Sequence, residues 1–234
     1  KEALDLGFKY EGTKSRIFFS NIILEKAITA LSFITRPDGK LPLIGDTKNF
    51  IVKDFFGHSE SESYQQFMYS IRKGLTGCKP VTNDLILKKS GWAIFRSSWE
   101  REEILDSLHL VFKCGFLSNY HRHDDDLSFT LFAYGEEWLI DGGEYKHAPK
   151  DPYRIYMRSA ESHNISMPYA VRAHRDLERS YNTGIRMYDR NQSTSVVFGE
   201  SEMFDGFRNN RLLKYDRVNN SINIHDNCRA INDT

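Results

Sequence analysis

The hydrophobic pattern of the chain changes near Pro80, and this change limits the possible folds. Between Ile17 and Phe33, apolar residues recur at helical spacing, which predicts a helix that ends at Arg36-Pro-Asp-Gly. A second helix is predicted from Ser61 to Lys73, before Gly74. After Pro80, short β-branched and aromatic runs alternate with turn residues, as is typical of strands. The sequence therefore predicts an α+β chain, with helices first and strands after them.

The second part of the chain has the pattern of a large antiparallel sheet or sandwich. Tight hairpin turns are predicted at Gly135-Glu136 and at Asn219-Asn220. No βαβ rhythm or glycine-rich phosphate loop is found. Strands are predicted at Leu85–Leu87, Ala93–Ser97, Leu108–Lys113, Leu127–Tyr134, Glu137–Ile140, Ser195–Phe198, Arg211–Arg217 and Ser221–His225. The boundary between the two parts is predicted between Gly74 and Asp84.

Charge and cysteine content exclude several classes of protein. The 32 basic and 32 acidic residues cancel, so no net field favours nucleic acid or an anionic membrane. No apolar run is long enough to cross a bilayer. The 3 cysteines are odd in number and widely spaced, which indicates neither a disulfide framework nor a zinc knuckle. We expect no nucleic-acid partner and no membrane insertion. Since the chain opens at Lys1 without Met, we also expect a piece of a longer protein.

Four side chains between residues 120 and 167 are of the kinds that bind zinc or move protons near neutral pH: His121, His123, Asp141 and His163. A zinc ion that assists chemistry usually has three protein ligands, and the last three residues would supply them. A His-x-His pair on a strand would place both imidazoles on one face. Isolated surface or core histidines are the alternative explanation.

The spacing of these residues requires a bend in the chain. If Gly135-Glu136 forms a two-residue turn, Asp141 faces Thr130, and His123 lies roughly 23 Å further along an extended strand. The acidic run Asp124-Asp-Asp would therefore have to turn the chain back. The spacing permits a shared metal site but does not establish one.

Three segments, in this order, resemble the heparinase II/III-like polysaccharide lyases. They read His121-Arg-His123-Asp-Asp125-Asp-Leu127-Ser128-Phe129, Asp141-Gly-Gly143-Glu-Tyr145 and Met157-Arg158-Ser159-Ala-Glu-Ser-His163-Asn164. The upstream loop Pro37-Asp-Gly-Lys-Leu-Pro-Leu-Ile-Gly-Asp46 is similar to a loop near the end of that family's helical toroid. The resemblance implies that residues 1–78 are the C-terminal remnant of an α-helical toroid and residues 79–234 a truncated antiparallel β-sandwich.

The resemblance also implies a zinc site and a catalytic histidine. His123, Asp141 and His163 fall on the positions that bind one structural zinc ion, and His121 falls on the catalytic histidine. The family pairs that histidine with a tyrosine, and often an asparagine, from the toroid. The matching tyrosine is expected just before Lys1, and Tyr10 is a weak substitute that we do not assign. We therefore expect the isolated chain to be inactive.

The implied reaction is β-elimination in an acidic polysaccharide such as a glycosaminoglycan or alginate. A base removes the C5 proton of a uronic acid, and the leaving oxygen at C4 receives a proton from an acid. Candidate substrate-binding residues are Arg122, Tyr156, Arg158 and Asn164. On a strand, alternating side chains would also put Arg154, Tyr156 and Arg158 on one face, where they could line a cleft for an acidic chain. The alternatives are a solvent-facing Arg122, a structural Arg158, and an ordinary strand surface from Tyr153 to Arg158. The resemblance further implies a periplasmic or extracellular location.

Two other functions fit the residues less well. A cupin-like metal enzyme also uses a His-x-His pair, but such sites normally have a glutamate a few residues later, where this chain has Asp124-Asp-Asp. A non-catalytic carbohydrate-binding or structural sandwich, with a metal that only stabilises the fold, is the second alternative.

Overall fold

The computed structural model describes residues 14–116, 121–174 and 181–231. Two helices come first, α1 at Lys14–Ile34 and α2 at Glu62–Ile71, which confirms the two predicted helices. The side chain of Ser61 caps α2 by accepting a hydrogen bond from the backbone N–H of Tyr64. Apolar residues shared by the two helices form a buried cluster, so α2 packs on α1. None of the helices in the described ranges combines the length and apolar character that crossing a bilayer requires.

The first sheet has five antiparallel strands in sequence order. They are β1 at Asp84–Leu87, β2 at Trp92–Arg96, β3 at His109–Lys113, β4 at Ser128–Ala133 and β5 at Glu136–Leu139. Each strand pairs with the next one along the chain. All five were predicted from the sequence, with bounds that differ by at most one residue at either end.

The second sheet has four antiparallel strands in sequence order. They are β6 at Gly184–Arg190, β7 at Thr194–Ser201, β8 at Phe207–Asp216 and β9 at Ser221–Ala230. A short helix, α3 at Pro152–Arg158, lies between the two sheets in the sequence. Strand β6 was not predicted. Its residues from Arg186 to Arg190 are exposed, so it lacks the apolar alternation that marks a half-buried strand.

The two sheets share a core, as expected of a β-sandwich. Phe95 and Phe112 of the first sheet are fully buried in one cluster with Val197, Leu213 and Tyr215 of the second. The sheets come close together at Gly199 of β7. An added Cβ there would lie 2.8 Å from Phe112 Cζ and 3.0 Å from Cys114 Sγ. Only a residue without a side chain fits this packing unchanged.

The β4–β5 hairpin differs from its prediction by one residue. Ala133 pairs with Glu136, so the turn residues are Tyr134 and Gly135, with φ of 54° and 78°. Positive φ at both positions matches the two-residue turn whose twist suits a hairpin. The register also shifts between Leu131 and Phe132. The predicted turn at Gly135-Glu136 was therefore wrong in register.

The end of α1 is fixed on the first sheet by buried polar contacts. His109 Nε2 lies 2.8 Å from the carbonyl oxygen of Phe33, and Arg96 Nη2 donates to that of Thr35 at 2.6 Å. The guanidinium of Arg96 stacks on Trp99, whose ring meets Phe33 edge to face. These contacts set the direction in which the chain leaves α1, toward the loop that ends at Asp46. The proposed division at residues 78 and 79 stays a prediction.

Candidate metal centre and active site

The segment before β4 turns back on itself, as the sequence required. Leu127 has a φ of 72°, and the N–H of Ser128 donates to the carbonyl oxygen of Asp125 at 3.1 Å. His121 has a φ of 57°, a conformation that costs energy for a residue with a side chain. The bend brings His123 inward, while the side chain of His121 remains 42% exposed.

His123, Asp141 and His163 are brought together in the interior. All three are buried, and one ligand atom from each lies within 4.8 Å of the others. The rings of His123 and His163 are 5.5 Å apart between centroids. His163 Nδ1 lies 2.8 Å from Asp141 Oδ2. The structure thus assembles the three residues that the resemblance implied as zinc ligands.

One nitrogen on each of the two buried histidines is suited to a metal. His123 Nδ1 and His163 Nε2 are buried and have no hydrogen-bond partner among the described residues. A buried polar atom without a partner is costly, and a metal bond would remove that cost. Burial lowers the pKa of His123, which favours the neutral imidazole that binds metals. The donor set therefore fits zinc.

Two regular elements position Asp141 and His163. Asp141 follows β5, and His163 follows a 3-10 turn at Ala160–Ser162. The side-chain amide of Asn164 donates to the carbonyl oxygens of Phe129 at 3.0 Å and Ile140 at 2.8 Å. Asn164 therefore fastens the His163 segment to β4 and to the end of β5. Its predicted role in substrate binding stays a prediction, and these two bonds are both donated by its side-chain nitrogen.

Asp46 is the site residue that sequence reasoning missed. Its Oδ2 lies 2.5 Å from His121 Nδ1, and its Oδ1 lies 2.9 Å from His123 Nε2. Arg154 Nη1 lies 2.5 Å from the same Oδ1. Although burial opposes it, bonding to Arg154 and the two histidines holds the pKa of Asp46 well below its usual range. The only sequence signal for Asp46 was its place at the end of the loop that begins at Pro37.

The pocket beside His121 has a volume of about 540 Å³. Asp46 and His121 line it together with Trp92, Lys113 and Phe116. It therefore combines a proton-transfer group, aromatic surface and charged groups. A pocket of this size can enclose one or two sugar rings, whereas a flat surface would not.

Arg122 also lines this pocket, although only 5% of its surface is exposed. Its Nη2 lies 2.7 Å from Asp126 Oδ2, and its guanidinium stacks 3.4 Å from the centroid of Phe116. Lys113 Nζ lies 2.5 Å from Asp125 Oδ1, within the same charged cluster. A solvent-facing Arg122, the alternative drawn from the sequence, is therefore wrong. Its contact with substrate stays a prediction, and its charge is already balanced by Asp126.

The segment from Tyr153 to Arg158 is a helix and not a strand. The side chain of Asp151 caps α3 by accepting from the N–H groups of Tyr153 and Arg154. The predicted common strand face of Arg154, Tyr156 and Arg158 is therefore wrong: Arg154 is buried, whereas Tyr156 is 53% exposed.

Arg158 and Tyr156 differ in their contacts. Arg158 Nη2 donates to the carbonyl oxygen of Arg122 at 2.8 Å, and the N–H of Asp124 donates to the carbonyl oxygen of Arg158. Arg158 thus supports the His-x-His loop, in line with its structural alternative. Substrate contacts by Tyr156 and Arg158 stay predictions.

Comparison with known families decides how this site is classified. Residues 80–227 match the family described as heparinase II/III-like, C-terminal. This chain belongs to the heparinase II/III-like family. The strands of each sheet pair in sequence order, which differs from the Greek-key jelly roll of a cupin-like enzyme.

Known heparinases show how much of such a protein the chain represents. A heparin-sulfate lyase of Bacteroides stercoris is 28% identical over 130 residues, which are 53% of this chain and 19% of that protein. A solved heparinase III with methylated lysines has a TM-score of 0.72 at 20% identity. The match covers 88% of this chain and 32% of the heparinase chain. The heparan sulfate lyase HepC from Pedobacter heparinus has a TM-score of 0.69 at 19% identity, and the match covers 98% of this chain and 37% of HepC. The chain thus spans about a third of the solved heparinases, which share its fold.

Proposed function

We propose that this chain carries the sandwich half of the active site of a polysaccharide lyase that cleaves uronic-acid-containing chains by β-elimination. The observation that carries the proposal is the placement of two neighbouring histidines. His123 is turned into a buried cluster with Asp141 and His163, whereas His121 lines the open pocket. A buried anchor beside an accessible imidazole is what a positioned proton-transfer group requires.

His121 would exchange a proton with the sugar. Its Nδ1 is bound to Asp46, which fixes the ring orientation, and we assign proton transfer to Nε2. In the reaction, the base takes the C5 proton and the C5–H electrons form the C4=C5 double bond. The C4–O bond then breaks, and the leaving oxygen takes a proton from an acid. The family resemblance suggests a toroid tyrosine, expected before Lys1, as the partner of His121.

A zinc ion held by His123, Asp141 and His163 would have an architectural role. The three side chains are buried and come from the loop before β4, the end of β5 and the segment after α3. A bound ion would tie these three segments together and strengthen the hold on the loop that carries His121. Asp46 connects His121 directly to His123, since its carboxylate contacts both rings.

The decisive experiment is an assay of the natural protein, including whatever sequence precedes Lys1 in its gene. Purified protein is incubated with heparan sulfate, heparin and alginate, and the ultraviolet absorbance of the unsaturated uronate product is followed. His121→Ala is expected to abolish product formation while the zinc site of His123, Asp141 and His163 stays occupied. His225→Ala, an exposed histidine on β9, is the matched control and should retain full activity. Unchanged turnover in His121→Ala would refute the assignment.

Two further measurements separate this proposal from the alternative of a non-catalytic carbohydrate-binding sandwich. That alternative predicts polysaccharide binding without any unsaturated product. Elemental analysis of the isolated chain should find bound zinc that His163→Ala loses, and zinc-free unmutated protein would refute the structural site. We propose a periplasmic or extracellular location, which fractionation of the source cells would test.

A further inference from the structure

A second group of metal-ligating side chains includes two residues that line the pocket, Asp46 and His121. Asp46, His121 and His147 each offer a ligand atom within 4.8 Å of the others. The rings of His121 and His147 are 5.6 Å apart between centroids. Their side chains are 42% and 60% exposed, so an ion would reach them from solvent. No part of the proposed reaction uses His147.

His147 is oriented by a carboxylate behind it. Its Nε2 lies 2.8 Å from Oε1 of Glu144, whose side chain is only 5% exposed. A histidine whose second nitrogen is bound to a carboxylate is the usual arrangement at metal sites, since the carboxylate fixes the ring and raises its basicity. Since Nε2 is bound to Glu144, Nδ1 is the nitrogen with which His147 would bind an ion.

Backbone contacts hold the two sides of the group together. The N–H of Glu144 donates to the carbonyl oxygen of Thr47 at 3.0 Å, next to Asp46. A Cβ at Gly143 would lie 2.6 Å from the same oxygen, so the two loops touch. The position of His147 relative to Asp46 is therefore set by main chain and not by side chains alone.

We propose that Asp46, His121 and His147 bind a second divalent ion, of the zinc type, and that this ion inhibits the enzyme. Two imidazoles and one carboxylate favour zinc over calcium or magnesium, which prefer oxygen ligands. Bound there, the ion takes a nitrogen of His121 and draws Asp46 away from its hydrogen bond to that ring. The inhibitory half rests on the proposed function, whereas the binding half does not.

The second site should be the weaker of the two. Arg154 Nη1 lies 2.5 Å from Asp46 Oδ1, so a cation already shares the carboxylate. The side chains of His121 and His147 are also half exposed, whereas those of the three buried ligands are not. The buried site would fill first, and the second would fill only when zinc is in excess.

The test counts ions and measures inhibition separately. Protein stripped with a chelator is titrated with Zn²⁺, and bound metal is measured calorimetrically and by elemental analysis. We expect two ions for the unmutated protein, one for His147→Ala and one for His163→Ala. Glu144→Gln should keep both sites but weaken the second by about tenfold. His225→Ala is the control and should bind two. Circular dichroism checks that each variant is folded.

Lyase activity is then measured against Zn²⁺ concentration. Excess zinc should inhibit the unmutated protein, and His147→Ala should keep its basal activity and need at least about tenfold more zinc for the same inhibition. A single ion in the unmutated protein, or two in His147→Ala, overturns the site. Equal inhibition of both proteins overturns the inhibitory role. Absence of any lyase activity would refute the proposed function, while the ion count would still decide the second site.

Discussion

Replacing Asp46 with asparagine tests whether one buried carboxylate organises the site. The side chains of Asp46 and Arg154 are each 6% exposed, and their charged atoms are 2.5 Å apart. Asparagine keeps the shape of the side chain and one acceptor oxygen. It removes the negative charge that faces Arg154 and the two histidines.

The expected loss of stability follows from these contacts. Two histidine nitrogens and the guanidinium of Arg154 converge on the carboxylate, and a neutral amide oxygen cannot bond to both rings and balance the guanidinium charge. A buried donor left without an acceptor costs about 1–3 kcal/mol, and removing one partner of a buried ion pair costs about 3–5 kcal/mol. Because asparagine retains one acceptor, we expect Asp46→Asn to lower the free energy of unfolding by about 3 kcal/mol.

Urea denaturation in chelating buffer measures this loss without a contribution from bound metal. Glu100→Gln is the matched control: Glu100 pairs with Lys79 at 2.6 Å, but the two side chains are 58% and 45% exposed, so little change is expected. Adding Arg154→Met to Asp46→Asn should restore part of the stability, because the uncompensated charge is removed. The reasoning is refuted if Asp46→Asn lowers the free energy of unfolding no more than Glu100→Gln does. It is also refuted if adding Arg154→Met to Asp46→Asn lowers that free energy further.

Two more predictions concern the fold. Burial, together with the charge of Arg96, holds the pKa of His109 well below its usual value. The unfolded chain takes up a proton below about pH 6.5, so stability from the neutral imidazole is present above that pH and lost as pH falls through it, by about 1.4 kcal/mol per unit. His109→Gln should flatten this decline in urea denaturation at a series of pH values, and an unchanged slope would contradict the assignment. Gly199→Ala should lower the unfolding free energy by about 1–3 kcal/mol, since its Cβ would lie 2.9 Å from Leu127 Cδ2; an unchanged urea midpoint would show that the sheets can separate there.

Elements with a strong apolar rhythm were predictable from the sequence. Helices α1 and α2 and eight of the nine strands in the described part of the chain were predicted, whereas the short helix α3 was not. Strands β7 and β8 alternate between buried and partly exposed residues, while β5 and β9 were predicted although most of their residues are exposed. Strand β6 was missed because its exposed residues are mostly charged or polar. Its place in the sheet comes from backbone pairing with β7, which leaves no mark on its own composition.

The segment from Tyr153 to Arg158 shows how short polar elements mislead. Alternating aromatic and basic residues suggested a strand face. The decisive signal lay just upstream, in Asp151-Pro152, where a capping carboxylate and a proline in the first turn favour a helix start. Since the helix is only 7 residues long, its apolar periodicity was too short to read.

The candidate metal centre was predictable in part. The ordered motifs named His123, Asp141 and His163, and the need for a bend near Asp124 followed from their spacing. Asp46 was not predicted as a site residue, because it lies 75 residues before His121 and meets it only in the folded chain. Contacts of such long separation have no local signature.

The left-handed backbone of His121 separates what folding favours from what chemistry needs. Glycine or asparagine would adopt a φ of 57° with less strain, so a screen for expression or thermal tolerance would accept loss of the imidazole at this position. Only a screen for turnover would reject it. Selection for thermal stability without substrate would therefore be expected to replace His121 and to yield a protein that is well folded but inactive.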